Sequence, residues 1–272
     1  MFKKIKDFFK KLFCREDAIE PEINSGETPV IIDVVDSGDT EPVVIPTNSG
    51  ETEPTEIDEP ITKPKTDIKI LIDNGHGVNT AGKRSPYLTS GAKPAIEFYE
   101  YKWNREIAKP IVDELVKKGY DAELLVTEEK DIPLAERANR ANKIAKEHGV
   151  NKTILISVHA NAAGTGKEWM KARGWSAFTT KGTTKSDKIA DFLYDEAEKN
   201  FKGLTIRKDT SDGDRDWEAN FTIIYKSLCP AVLTENFFYD NVDDVKYILS
   251  EEGRAAVIKT HVDGIINYIN SL

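Results

Sequence analysis

Short apolar runs alternate with amphipathic segments of helix length from Ile68 onward, and this alternation restricts the possible folds more than any other feature of the sequence. Predicted strands cover 68–73, 122–127, 153–159, 175–179 and 231–235, and predicted helices cover 100–118, 133–148, 186–201 and 253–269. Strands that are apolar throughout and separated by helices are typical of a parallel sheet buried on both faces. We therefore predict one α/β domain over residues 68–272, with a mainly parallel twisted sheet and helices on both faces.

The composition changes near residue 67, because the segment before it is rich in Glu, Asp, Pro, Thr and Ser. Within residues 15–67 a Ser-Gly-Glu/Asp-Thr motif begins at Ser25, Ser37 and Ser49, a period of twelve residues that is too short for a common solenoid. Proline and like charge disfavour a packed core. We predict a disordered acidic linker over residues 15–67.

Residues 1–14 contain the run FKKIKDFFKKLF, in which Phe2, Ile5, Phe9 and Leu12 share one helical stripe opposite the lysines. This pattern predicts a basic amphipathic helix, and residues 2–13 would suit an anionic membrane surface. Two alternatives remain open. The helix could bind a partner or simply be solvated, or it could pair with the acidic linker.

Composition excludes several classes of protein. The formal net charge is -9 and the globular part has no basic stripe, which disfavours nucleic-acid binding. Cys14 and Cys229 are too few and too far apart in sequence for a disulfide framework or a four-cysteine zinc site. No run of apolar residues is long enough to span a bilayer, and lysines interrupt residues 2–13, so we expect a chain that is made in the cytoplasm without a secretory signal. A monomer is expected, although the sequence does not fix the oligomeric state.

Three predicted strands end in polar side chains that could bind a metal or take part in catalysis. The strand ends read Asp73-Asn74-Gly75-His76-Gly77, Ser157-Val158-His159-Ala160-Asn161 and Leu233-Thr234-Glu235-Asn236. Ligand sites of open α/β sheets lie outside the carboxyl ends of the strands, so these groups should converge. Taken singly, each histidine is more simply explained as a structural residue and Glu235 as a salt-bridged carboxylate. Together, two imidazoles and a carboxylate are a normal donor set for catalytic zinc with one open position.

Several further segments join these strand ends in a recognisable order. They are residues 70–77, 100–104, 134–137 with 141–142, 157–161 and 230–238. This ordered set, which spans residues 68–269, resembles the zinc-dependent N-acetylmuramoyl-L-alanine amidases often called amidase 3. The resemblance implies that a zinc-activated water, with a glutamate as general base, hydrolyses the amide between the lactyl group of muramic acid and L-Ala in peptidoglycan.

The resemblance also implies roles for individual residues. His76, Glu100 and His159 would bind zinc, and Glu235 would be the catalytic carboxylate. Glu100 is assigned by the resemblance alone, since it precedes Asn104 by four residues as the glutamate ligand of the family does. Glu97 is the alternative ligand.

Asp73 and Asn161 are candidates for orienting a ligand or contacting substrate, although Asp73 could equally cap a turn. The chain departs from the family at three places. Asn74 replaces a usual Pro, Asn236 replaces a small residue, and residues 78–98 have no common counterpart.

The remaining candidates have simpler explanations. His148 lies where a cation favours a helix C-terminus, and His261 is predicted on the polar side of the last helix, so neither is expected to bind metal. The acidic run 209–216 either lines the substrate groove or forms a solvated loop.

Two other functions stay open at this point. One is a zinc peptidase acting on the stem peptide, and the other is a wall-binding module without catalysis. A wall hydrolase with a basic amphipathic N-terminus and no export signal suits a phage-type lysis enzyme that reaches the cell wall after release, although bacterial wall remodelling by another export route is the alternative.

Overall fold

The computed structural model describes residues 65–272. The predicted helix of residues 1–14 and the predicted linker up to residue 64 lie outside the described residues. Contacts with the domain begin before the predicted boundary at residue 68. The amide of Lys65 donates to the carbonyl of Gly119 at 2.8 Å, and Asp67 forms an ion pair with Lys152 at 2.6 Å.

The described residues form six strands and seven helices. The strands are β1 (Lys69–Asn74), β2 (Asp121–Leu124), β3 (Thr153–Asn161), β4 (Ser176–Thr179), β5 (Trp217–Glu218) and β6 (Ala231–Phe238). The helices are α1 (Pro86–Ser90), α2 (Glu100–Lys117), α3 (Leu134–His148), α4 (Lys185–Asn200), α5 (Thr222–Tyr225), α6 (Val242–Leu249) and α7 (Glu251–Asn270), and a 3-10 turn covers Val150–Lys152.

The strands form one sheet in the order β2-β1-β3-β6-β4-β5. The first four of these strands are mutually parallel, whereas β4 runs antiparallel to β6 and β5 follows the direction of β4. The prediction of a mainly parallel α/β domain is confirmed. We call the end of the sheet where β1, β3 and β6 stop the carboxyl edge, and the end where they start the amino edge.

Both faces of the sheet are covered, as the uninterrupted apolar strands require. Alternate residues such as Ile70 and Ile156 face a core shared with α2, α4 and α7, while Leu71 and Leu155 face a smaller core shared with α3 and α5. This double burial fixes the register of the central strands, because a slip of one residue would exchange the two faces. The carboxyl ends of β1, β3 and β6 are therefore held at defined positions.

The sequence pattern missed the shortest elements, α1, α5 and β5, and it missed α6. A helix of one turn and a strand of two residues are too short to show a hydrophobic period. β3 and β6 also run further than predicted, to Asn161 and Phe238.

The prediction that His261 lies on a polar helix face is wrong. α7 packs against α2, α4 and α6, so more than one of its faces is covered, and His261 is fully buried. Its Nδ1 lies 2.8 Å from the carbonyl of Val257 and its Nε2 lies 2.9 Å from the hydroxyl of Thr234. Burial lowers the pKa of His261 to about 4, so this ring is neutral and serves packing.

None of the helices within residues 65–272 has both the length and the apolar composition needed to cross a bilayer.

Candidate metal centre

The carboxyl edge brings together three side chains that can bind a metal. His76 follows the end of β1, His159 lies near the end of β3, and Glu100 is the first residue of α2. One donor atom from each of the three lies within 4.8 Å of the others. The sequence reached the two histidines from the strand ends, and the family resemblance alone supplied Glu100.

The spacing of these donors suits one small cation. Glu100 Oε1 lies 3.1 Å from His159 Nδ1 and 3.4 Å from His76 Nε2. Ligands about 2.0–2.2 Å from a tetrahedral zinc ion lie about 3.4 Å from one another. The second carboxylate oxygen, Glu100 Oε2, is buried and has no hydrogen-bond partner. An acceptor left without a partner in a buried site is expected where a cation belongs.

The electrostatics of the three groups are tightly linked. Burial lowers the pKa of His76, and the charge of Glu100 offsets part of that effect. Burial alone would raise the pKa of Glu100, but the charge of His76 and the hydrogen bond with His159 hold it well below its usual range. Glu100 is therefore a carboxylate at neutral pH, which is the form that binds metals.

Glu235 lies beside this group on the adjacent strand. The β3–β6 pairing sets His159 opposite Glu235, and a bulge between His159 and Asn161 bends the strand end just after this pair. Glu235 is 4 % exposed, and its Oε2 has no hydrogen-bond partner. Burial raises the pKa of Glu235 to about 8, with the charge of His159 opposing the rise and that of Glu100 adding to it.

The turn that carries His76 needs a glycine before the histidine. A Cβ atom on Gly75 would lie between 2.0 and 2.5 Å from ring atoms of His159, so any side chain here would displace that imidazole. His76 itself adopts a φ of 67°, in the left-handed region that costs a non-glycine residue about 1 kcal/mol or more. This turn is strained and needs support from its surroundings.

Two guanidinium groups supply that support. Arg105 and Arg137 each donate a hydrogen bond of 3.0 Å to the carbonyl oxygen of His76. Arg137 is 1 % exposed and also donates to the carbonyl of Asn74 at 2.9 Å. In the sequence, Arg137 lies in one of the family segments, residues 134–137, with no role predicted for it. A signal was present, since an arginine in a helix next to a strand-end carboxylate is a candidate for a buried ion pair.

Asp73 is that carboxylate. Its oxygens accept hydrogen bonds from Arg137 at 2.7 Å and from the hydroxyl of Ser157 at 2.6 Å. The side chain thus bonds neither to an imidazole nor to its own turn, the two roles considered from sequence. It holds Arg137, which in turn holds the backbone of His76.

Asn161 and Asn236 occupy the ends of the two paired strands. Asn161 accepts a hydrogen bond from the following amide, that of Ala162, at 2.8 Å. Asn236 donates to the carbonyl of His159 at 2.8 Å and accepts from the indole of Trp175 at 2.9 Å. Asn236, which replaces a small residue in the family resemblance, therefore holds the backbone carbonyl of His159 in place.

The other sequence candidates lie away from this group. Glu97 is exposed, whereas Glu100 is buried beside the imidazoles. His148 lies on the surface, with Nε2 2.8 Å from the carbonyl of Asp67. The acidic run 209–216 is tied to α4 through Arg215, which contacts Asp191 and Asp195, and its last residue, Asp216, is buried rather than solvated.

The fold and the site together define an α/β protein with a His-Glu-His group able to bind a metal and a buried glutamate at the carboxyl edge of its sheet. The profile of the Amidase_3 family, described as N-acetylmuramoyl-L-alanine amidase, matches residues 70–267. The chain belongs to this family of hydrolytic amidases.

Two relatives and one solved structure agree with this family assignment. An endolysin of Bacillus phage SPP1 is 27% identical over 210 residues, which are 74% of this chain and 66% of that protein. The N-acetylmuramoyl-L-alanine amidase CwlM of Bacillus licheniformis is 26% identical over 207 residues, covering 75% of this chain and 69% of CwlM. The match thus spans about two thirds of these relatives. The crystal structure of an N-acetylmuramoyl-L-alanine amidase from Clostridium difficile 630 superposes with a TM-score of 0.62 at 25% identity, covering 75% of this chain and 97% of that one.

Proposed function

We propose that this chain hydrolyses the amide bond between the lactyl group of muramic acid and L-Ala in peptidoglycan, with Zn²⁺ held by His76, Glu100 and His159. The observation that carries the proposal is the close set of two imidazoles and one carboxylate facing a second, buried carboxylate, in a chain that belongs to a family of amidases. Two nitrogen ligands and one oxygen ligand leave the fourth position of a tetrahedral zinc ion for water or substrate.

The reaction needs a proton carrier as well as a metal. When bound, Zn²⁺ supplies Lewis-acid polarisation of the amide carbonyl and lowers the pKa of a bound water. The positive charge of a bound Zn²⁺ would lower the raised pKa of Glu235 and so favour its carboxylate form. In that form Glu235 acts as the general base that takes a proton from the attacking water, and then as the acid that returns it to the departing amine of alanine. Its unpartnered Oε2 leaves an acceptor available for that proton, and its place opposite His159 keeps it next to the metal ligands.

The proposal is tested with purified full-length protein and isolated sacculi. We expect about one zinc per chain by elemental analysis, loss of turbidity of the sacculi, and new N-terminal alanine in the digest. Chelation should stop the reaction and added zinc should restore it. Release of other amines in place of alanine would make the protein a peptidase of the stem peptide. Binding to sacculi without any new amine would make it a wall-binding module.

We infer that the biological setting is lysis of a host cell, since one relative is a phage endolysin. The enzyme would then act on the wall after release from the cytoplasm as a monomer, with residues 2–13 at an anionic membrane surface. Deleting residues 1–14 should abolish co-sedimentation with anionic vesicles while alanine release from sacculi persists. Equal vesicle binding by both forms would refute the membrane role of this segment.

A further inference from the structure

Two loops that follow β1 and β3 meet beside the metal-binding group. Residues 78–98 include α1, whose Thr89 and Ser90 donate hydrogen bonds to the carbonyls of Gly166 and Lys167 in residues 162–174. Each loop contains three basic residues and one acidic residue. These are Lys83, Arg84, Lys93 and Glu97 in the first loop, and Lys167, Lys171, Arg173 and Glu168 in the second. On a chain with a net charge of -9, these two loops are both basic. Arg173 is already paired with Asp243 and Asp244, so the other basic residues supply the positive charge of these loops.

Lys83 is the basic residue of these loops that is tied most directly to the centre. Its carbonyl accepts the amide of Glu100 at 2.9 Å, and the next residue, Arg84, pairs antiparallel with Tyr99. The amide of Ser85 donates to the carbonyl of Phe98 at 3.0 Å, which extends this short ladder. The position of Lys83 is therefore fixed relative to the first residue of α2.

The side chain of Lys83 is half-buried, and its charge acts on the metal-binding group. His76, Glu100 and Glu235 each experience this positive charge electrostatically. This charge favours the ionised forms of Glu100 and Glu235, and a half-buried ammonium next to them can also attract a carboxylate of an approaching substrate.

We propose that Lys83 binds a carboxylate of the stem peptide and so makes the enzyme prefer peptidoglycan in which the second stem residue keeps its free carboxylate over peptidoglycan in which that group is a carboxamide. The inference rests on the proposed amidase activity. The amide to be cut precedes L-Ala, so the second stem residue is the nearest residue on the leaving side that carries such a group. A charge-assisted contact of this kind is lost when the carboxylate becomes a neutral amide.

The test compares Lys83→Met with the wild-type chain on sacculi of both chemical types. Initial rates of alanine release are measured on each, and the preference is the ratio of kcat/KM on the carboxylate form to that on the carboxamide form. We expect the substitution to reduce this ratio about tenfold, mainly through KM, and Lys83→Arg to restore most of it. Lys118→Met removes the same charge from the exposed end of α2 near the amino edge and should leave the ratio unchanged.

The outcomes separate this inference from the function on which it rests. A wild-type chain that releases no alanine from either type of sacculus would refute the amidase activity itself. An active wild-type chain whose preference is the same in Lys83→Met would refute the role of Lys83. An equal loss of kcat on both substrates would assign Lys83 to the scissile carbonyl instead, and would also overturn the proposal. Zinc content, measured in every variant, checks that the centre is intact.

Discussion

The two ends of the sheet contrast in which polar groups they bring together. The amino edge borders a cavity of about 480 Å³ between the start of α4 and the turn before β6. Several of its polar groups bond to one another: Lys185 donates to Asn151 at 2.9 Å, and the hydroxyl of Ser186 accepts the amide of Ala231 at 3.0 Å. Asp214 and Asp216, near the start of α4, each keep one buried oxygen without a partner. At the carboxyl edge, Glu100 and Glu235 each keep a buried oxygen without a partner. The carboxyl edge differs because its unpaired oxygens lie beside two imidazoles, which together make a set of side chains able to bind a metal.

The backbone shows the same contrast. At the amino edge α4 begins with a capping box, in which the side chains of Thr184 and Asp187 each accept a hydrogen bond from the backbone amide of the other residue. At the carboxyl edge His76 is held in a left-handed conformation by two arginines. The start of α4 is therefore capped by residues three positions apart, whereas the turn at His76 depends on arginines that are distant in the chain.

Among substitutions that test this contrast, Glu235→Gln is expected to have the largest effect on the rate of alanine release. The substitution keeps the shape of the side chain and removes its ability to carry the proton, so alanine release should fall by about 10³-fold. Zinc content should stay the same, because the three proposed ligands are untouched. A variant that keeps more than a tenth of the wild-type rate would remove Glu235 from the mechanism.

A smaller effect is expected for Asn236→Ala, which removes the hydrogen bond to the carbonyl of His159. Groups that orient a metal ligand typically contribute tenfold or more to metal affinity, so zinc should bind about tenfold more weakly in a competition titration with a chromogenic chelator. Asn142→Ala is the matched control. Asn142 also makes two hydrogen bonds to backbone, at 2.8 and 2.7 Å, but with Lys226 and Leu228 far from the centre. If both variants bind zinc equally, Asn236 does not position the ligand.

The sequence predicted most of the fold because the fold depends on local patterns. The period of Trp103, Ile107, Ile111 and Leu115 predicted α2, and the family resemblance added Glu100 to the two strand-end histidines. The prediction for His261 failed because α7 is covered on more than one side, so a single apolar stripe underestimates its buried surface. The particular partners of Asn236 and Arg137 could not be predicted for another reason. Their partners, His159 and His76, are more than sixty residues away in the chain, and no local period encodes such a contact.

The smallest effect on the metal is expected at the amino edge, for Thr184→Ala. The hydroxyl of Thr184 accepts the amide of Ser186 at 3.0 Å, and losing this cap should lower the free energy of unfolding by about 1 kcal/mol. Thr184→Ser keeps an oxygen at the same place and should recover most of that stability. Zinc affinity and alanine release should match the wild-type values, because the cap and the metal-binding group lie at opposite ends of the sheet. Chemical denaturation measures the first quantity and chelator competition the second. A loss of zinc affinity in Thr184→Ala as large as that expected for Asn236→Ala would show that the two edges are energetically coupled, so that satisfied groups at one end help to hold the strained turn at the other.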